Sequence, residues 1–410
     1  MYDLTLTPEQ LEFRETVRDF VESEVKPAAR HPGRLEPFEK PLLADLLDKA
    51  SRMGLRTLAL SEEAGGAGAD CLTSCIVMEE LAAGDVDIAA VLGHTAVLAH
   101  VLFDRLMTDA QRARWLPKFL EDEDCHLAFA GREPGAGIGW RYHRPDSAAE
   151  PAAVRQGGHW VINGAVSFVA NAPLAKLYVV QVRTDPKKAG AGGVSTLLVP
   201  RDAAGLSVRE PSKAVGEAIR WHHGSGAAVV FKDCRVPEDH LLGREGQSAL
   251  AGGADAVRSV PLTAAINLGV GSAAYQAAVE YSKLRRQGGH SIIEHHSIGL
   301  KLADCAIRLE LARNMIWKAA WALDHPEAAA GGEEAALPLH TMARVYTAEA
   351  VNQVALLAAE CFGAMGVMRD MPLQKYVHDA MVFLHAEDAD DATKLGIAEA
   401  IAGYQRPLAA

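Results

Sequence analysis

The stretch "MVFLHAEDADDATKLG" (381–396) places four carboxylates, Glu387, Asp388, Asp390 and Asp391, within five positions directly after an apolar run. Two roles fit such a cluster. A carboxylate held in an apolar pocket has its pKa raised by desolvation and becomes a useful proton acceptor. Carboxylates at a helix start instead satisfy free N–H groups and favour the helix dipole. The three aspartates are read as a helix start, and for Glu387 the two roles are compatible. His385, one residue earlier, reads as a packing or hydrogen-bonding histidine. A second group with chemical capacity is "KLRRQ" (283–287), too short for a nucleic-acid tract but able to hold one anionic ligand. His222 and His223, in "RWHHGSG", lack a further ligand at metal-site spacing and read as a loop.

The elements that must position these residues follow from periodicity. "TPEQ" announces the first helix: Thr7 caps, Pro8 suits the first helical position and Gln10 closes a capping box. Leu11, Val17, Phe20, Val21 and Val25 then form an apolar stripe at helical spacing. Similar patterns continue to about residue 125. The period next changes to short runs of β-formers, and "HWVINGAVSFVA" carries Asn163-Gly164 between two such runs, a hairpin signal. From about 247 the pattern returns to long helices, roughly 247–285, 293–324, 336–363 and 373–402, lengths natural in a four-helix bundle. The expected domains are 1–125 (helical), 126–242 (an all-β sheet, barrel or sandwich) and 243–410 (helical bundle). Such an arrangement can hold a cofactor at its seams.

Composition narrows the function classes. The 410 residues carry a net charge of -12, so the surface as a whole repels nucleic acid and anionic membranes, and both are set aside. Six cysteines without a CxxC pair, and an N-terminus with no basic region before an apolar one, point to a reduced, metal-free cytoplasmic protein. No apolar stretch of about 18 residues free of charge stands out, so a membrane span is not expected.

Six segments in order now become informative: "EPGAG" (133–137), "WVING" (160–164), "FKDCRVPEDHLLGREGQ" (231–247), "YSKLRRQGG" (281–289), "FGAMGV" (362–367) and "HDAMVFLHAE" (378–387). Together, over nearly the whole chain, they resemble the acyl-CoA dehydrogenase family. The resemblance implies a helical domain, a middle β-domain and a C-terminal four-helix bundle, usually in a homotetramer, with a homodimer as the other expectation. It also implies FAD, an acyl-CoA or related thioester as substrate, fatty acid metabolism as the setting, and an acceptor such as an electron-transfer flavoprotein. In that chemistry a carboxylate removes the α-proton while the flavin takes a hydride from the β-carbon.

By register with the family's usual Tyr-Glu-Gly-Thr segment, Glu387 falls on the catalytic base. Asp388 stands where glycine is preferred, Ala389 where a cofactor-holding threonine is common, and Asp391 lies just beyond as a further implied contact. The β-domain motif, usually Thr-Glu-Pro and then Ala-Gly-Ser-Asp, is "GREPGAGIGW" here. Phe129, Gly131 and Arg132 are the implied cofactor contacts of that stretch and Ile138 a substrate contact, while Arg132, Ile138 and Gly139 replace the threonine, serine and aspartate. The usual Trp-Ile-Thr-Asn is "FVAN", in which Phe168 keeps an aromatic wall and Ala170 loses a hydroxyl.

Arg285 matches the arginine that pairs with the FAD pyrophosphate across a subunit boundary, with Gln287 beside it. Gly288 replaces a phenylalanine, Glu360 a glutamine and Ala364 a second glycine, while Gly363 is retained. Arg258, in "AVRSVP", matches an arginine near the active site that would orient substrate or base. The loop from Trp140 through Arg141, Tyr142 and His143 to Arg144 is an added departure. Each lost contact is worth about 0.5 to 1.5 kcal/mol. The expected function is an FAD-dependent acyl-CoA dehydrogenase. The alternatives are a non-redox acyl-CoA lyase, hydratase or desulfinase-like enzyme, or a flavin-poor subunit of a hetero-oligomer.

Overall fold

The computed structural model describes residues 5–31, 41–131, 151–188, 193–209, 222–250, 257–329, 337–386 and 391–404. The first helix, α1 (Pro8–Phe20), starts where its cap requires. Thr7 Oγ1 accepts the Gln10 amide at 3.1 Å and Gln10 Oε1 accepts the Thr7 amide at 3.0 Å. Val17, Phe20, Val21 and Val25 are buried, but Leu11 is 39% exposed, so the stripe is narrower at its start than its spacing suggested. A π turn leads into α2 (Lys26–Ala29), followed by α3 (Ala44–Arg52), α4 (Cys71–Gly84), α5 (Val86–Ala99) and α6 (Asp109–Glu121).

The middle of the chain holds β1 (His126–Ala130), β2 (Ala152–Gln156), β3 (His159–Ala170), β4 (Ala175–Arg183), β5 (Val194–Pro200), β6 (Leu206–Arg209), β7 (Gly226–Pro237) and β8 (Leu241–Leu242). Among the described residues they form one sheet in the order β6-β7-β3-β2-β4-β5-β8, with β1 parallel to β4. Asn163-Gly164 does not turn the chain. It lies inside β3 at an irregularity in the pairing with β7, where Asn163 Nδ2 donates to Asp233 Oδ1 (3.1 Å) and the Asp233 amide returns a bond to Asn163 Oδ1 (2.8 Å). The hairpin is made by Gly157-Gly158, both at positive φ (59° and 77°), the backbone a tight two-residue turn needs.

The C-terminal helices are α7 (Ser259–Leu284), α8 (His296–Asp324), the short α9 (Pro326–Ala329), α10 (Leu339–Phe362), α11 (Leu373–Ala386) and α12 (Asp391–Ala402). Between α7 and α8 lies a small ribbon of β9 (Arg286–Gln287) and β10 (His290–Ser291). The helix expected from residue 247 starts later. Residues 247–250 are held to β5 instead, the Ala249 amide donating to Thr196 Oγ1 at 3.1 Å.

Among the described residues three apolar clusters share the load. One joins α1, α4 and α5 to the bundle, one joins α5 and α6 to β1 and β4, and one fills the sheet around Trp160 and Tyr178. α5 therefore touches both the bundle and the sheet, which is what a seam site requires. Val86–Leu106 and Leu339–Val367 are long and apolar enough by length and composition to cross a bilayer, though each carries charged residues. Both are helices of this packed core, and the first is mostly buried inside it.

Candidate active site

A cavity opens where α5, α7, α11 and the sheet meet. Asp85 fixes the start of α5, its Oδ1 accepting the amides of Asp87 (3.0 Å) and Ile88 (3.1 Å). Gly93 then lets α7 come close, since a Cβ there would sit 3.2 Å from side-chain methyls of both Leu262 and Ile266. The same two helices face the cavity with His94, Val97 and Leu98 from α5 and Ser259 and Thr263 from α7. The space open to the centre of a water molecule is about 150 Å³, and its lining is mainly apolar.

The sheet supplies the opposite wall. Phe129 projects from β1, and Phe168 and Ala170 from the end of β3. Asn171 follows, buried and at φ 62°, a conformation asparagine tolerates better than most residues. Its Nδ2 donates to Val91 O (3.0 Å) and Thr95 Oγ1 (3.2 Å), tying the end of β3 to α5. Phe168 rests on Gly226, where a Cβ would overlap the ring, and lies 4.8 Å from the ring of His222. Gly131 is equally constrained: a Cβ would approach Gln181 Oε1 to 2.7 Å and Phe129 Cζ to 2.8 Å.

α11 closes the cavity with Phe383, against which His223 stacks at 4.3 Å. Behind this pair Lys375 and Asp379 form a buried ion pair at 2.9 Å. Burial presses the Lys375 pKa down, but Asp379, Asp85 and Asp87 outweigh it, so the ammonium is raised and stays charged. The wall is thus apolar at its surface and charged one layer behind.

A second group of sequence-identified residues sits elsewhere. The Tyr281 and Phe362 rings stack at 4.1 Å, joining the ends of α7 and α10, so that Arg285 and Gly363 leave the bundle at the same end. The exposed guanidinium of Arg285 makes no ion pair or side-chain hydrogen bond among the described residues. Gly363 takes φ 58° and ψ -134° in open surroundings, a backbone that only glycine adopts readily. Ala364 and Gln287 are exposed beside them, and Glu360 is paired with Lys301. Within one chain none of these five residues lines the cavity.

Arg258 stands just before α7 and pairs with Asp324 at 3.0 Å. Asp324 also accepts the amides of Cys71 (3.0 Å) and Leu72 (3.1 Å), so Arg258 joins the starts of α4 and α7 to the end of α8. It is Ser259, next in sequence, that reaches the cavity. Arg132, Ile138, Glu387, Ala389 and the loop of Trp140 lie outside the described residues, and Asp391 is described only as the first residue of α12. His94, Asn171, His222 and His223 are cavity residues that sequence reading misses, the two adjacent histidines reading there as a loop and not a metal site.

Comparison with known proteins decides the family. Residues 7–123, 128–234 and 259–402 match the "Acyl-CoA dehydrogenase" N-terminal, middle and C-terminal domains in that order. The chain belongs to the acyl-CoA dehydrogenase family. It is 30% identical over 391 residues to the short-chain specific acyl-CoA dehydrogenase, mitochondrial, of Sus scrofa, covering 94% of this chain and 88% of that one. The butyryl-CoA dehydrogenase structure from Megasphaera elsdenii matches with a TM-score of 0.80 and 25% identity, covering 98% of this chain and 99% of that one. The structure of a glutaryl-coenzyme A dehydrogenase in complex with glutaryl-CoA matches with a TM-score of 0.82 and 25% identity, covering 100% and 98%.

The chain is accordingly an oxidoreductase of this flavoprotein family. Membership implies FAD, and the residues present fit such a group. Arg285 offers a guanidinium that is unpaired among the described residues for a diphosphate, Gly363 leaves its turn open to close approach, and Phe129 and Phe168 offer aromatic walls. Glu360, a carboxylate where the family has a neutral side chain, is offset by Lys301.

Proposed function

We propose that the protein is an FAD-dependent acyl-CoA dehydrogenase acting on a thioester between its α and β carbons. The observation that carries this reading is the cavity itself, walled by Val97, Phe129, Phe168, Thr263 and Phe383 from all three matched domains of one dehydrogenase fold. When bound, FAD supplies the acceptor for the β-hydride.

The chain's own residues do the rest. Glu387, by register, takes the α-proton, and an apolar environment would strengthen it as a base by disfavouring its charged form. The apolar faces of Val97, Leu98, Leu262 and Ile266 hold an acyl chain and exclude water. Arg285 holds the diphosphate of the cofactor. It does not line the cavity of its own chain, which fits a role in the site of a second copy.

A homo-oligomer also suits the bundle surface. Leu300, Ile307 and Leu311 on α8 are 69%, 57% and 51% exposed and stand seven and four positions apart, which gives one apolar stripe along the helix. Light scattering on the purified protein measures the assembly directly.

The deciding experiment for the reaction is an absorbance spectrum from about 300 to 550 nm, before and after excess FAD, then anaerobic addition of short acyl-CoA thioesters. The flavin bands of an acyl-CoA dehydrogenase bleach on substrate. A protein that stays colourless with added FAD, or whose bands no acyl-CoA bleaches, overturns the reading.

A further inference from the structure

His223 is placed between two structures that it holds together. Its ring is buried, stacks on Phe383 with an interplanar angle of 30°, and brings Nε2 to 3.1 Å from the backbone carbonyl of Asp379. A carbonyl only accepts, so Nε2 carries the proton and donates. In α11 that carbonyl already accepts the amide four residues on, which belongs to Phe383, and His223 uses its second lone pair. Asp379 and Phe383 are four apart and share one face of the helix, so one imidazole spans a full turn through the Nε2 bond and the ring stack, with its Nδ1 3.9 Å from Asp379 Oδ1. On its other side the same loop is fixed to α5, the Gly224 amide donating to Asp87 Oδ1 at 2.8 Å.

A packing histidine of the ordinary kind would fill space between elements with no cavity beside it. Here both stacked rings, His223 and Phe383, line the cavity, and both sit on a wall whose spacing the Nε2 bond fixes. We propose that His223 is a positioning residue for the reaction: its N–H anchors α11 to the loop before β7 and so sets where Phe383 stands in the cavity wall. The kinetic part of this proposal rests on the dehydrogenase reading above, whereas the anchoring part does not.

Two full-length variants separate the ring from the N–H. His223→Phe keeps an aromatic ring against Phe383 and removes the donor, while His223→Gln keeps a donor and removes the ring. Hydrogen exchange of α11 amides is measured in both, with kcat and KM for a short acyl-CoA and an artificial electron acceptor. In His223→Phe, α11 is expected to exchange roughly tenfold faster, and in His223→Gln within about threefold of the unaltered protein. kcat is expected to fall roughly tenfold in His223→Phe with KM within about threefold, and to recover in His223→Gln.

Unchanged α11 exchange in His223→Phe, or equal acceleration in both variants, overturns the anchor. If His223→Phe is not recovered folded, His223→Gln decides: near-native exchange supports the anchor and tenfold acceleration refutes it. If the unaltered protein turns over no acyl-CoA, the dehydrogenase reading fails while the exchange measurement still decides the anchor.

Discussion

Lys301 on α8 closes an ion pair with Glu360 on α10, so a carboxylate three residues before Gly363 carries its own counter-charge. Removing the cation as Lys301→Met leaves that negative charge at the bundle end that also bears Arg285. FAD affinity is then expected to fall roughly three- to tenfold at low ionic strength, and by less in high salt, because exposed charges are screened. Fluorescence titration with FAD at two salt concentrations checks this, and equal dissociation constants at both would refute it.

Gly226 supports the Phe168 ring so closely that any Cβ would overlap it. Gly226→Ala is therefore expected to displace Phe168 or the start of β7, at a cost of about 1 to 3 kcal/mol. Urea denaturation reads the stability change, and the flavin absorbance maximum of the loaded protein reports whether the aromatic wall has moved.

Glu387→Gln keeps the size of the side chain and removes its basicity. Under the proposed mechanism kcat is expected to fall by roughly 100- to 10,000-fold, the range for a positioned general base. Flavin content should be unchanged. A variant that retains full activity would take Glu387 out of the mechanism.

His126 gives the protein a defined sensitivity to acid. Burial between α5 and the sheet lowers its pKa from the ordinary 6.5 to about 4, with Arg56 adding to the effect, and Thr95 Oγ1 lies 3.3 Å from its Nδ1. Between these two values the unfolded chain binds a proton that the folded chain refuses, so stability rises with pH across the window and is lost as pH falls through it. The loss attributable to this one group is roughly 3 kcal/mol at the acid end. Denaturation midpoints measured between pH 7 and pH 4 should fall less steeply in His126→Asn than in the unaltered protein.

Local signals were legible in the sequence wherever neighbouring residues alone decide the structure. Thr7 and Gln10 cap α1 as their spacing dictates, and the order of helical, strand and helical patterns gives the architecture. Asn163-Gly164 misled because its side chain finds Asp233 across the sheet, a partner 70 positions away, while the turn chemistry is satisfied by two glycines nearby. His222 and His223 occupy the loop that the sequence implies, but their place in the cavity is hidden for a related reason. Their partners, Phe168, Asp379 and Phe383, are brought in by packing between domains, which no periodicity records. Phe129, Phe168 and Ala170 do meet in the cavity, whereas Arg258 is drawn to Asp324, a residue 66 positions away that its neighbours do not announce.

The cavity walls come from α5, from β1 and β3, and from α7 and α11, which are far apart along the chain. No single segment can bind anything there, so occupancy reports on docking of all three. By mass action, a ligand present at 100 times its dissociation constant adds about 2.7 kcal/mol to the folded state. Because that gain exists only with every wall in place, a bound ligand makes the three segments melt as one unit, and heating the unliganded chain is where they would first come apart separately.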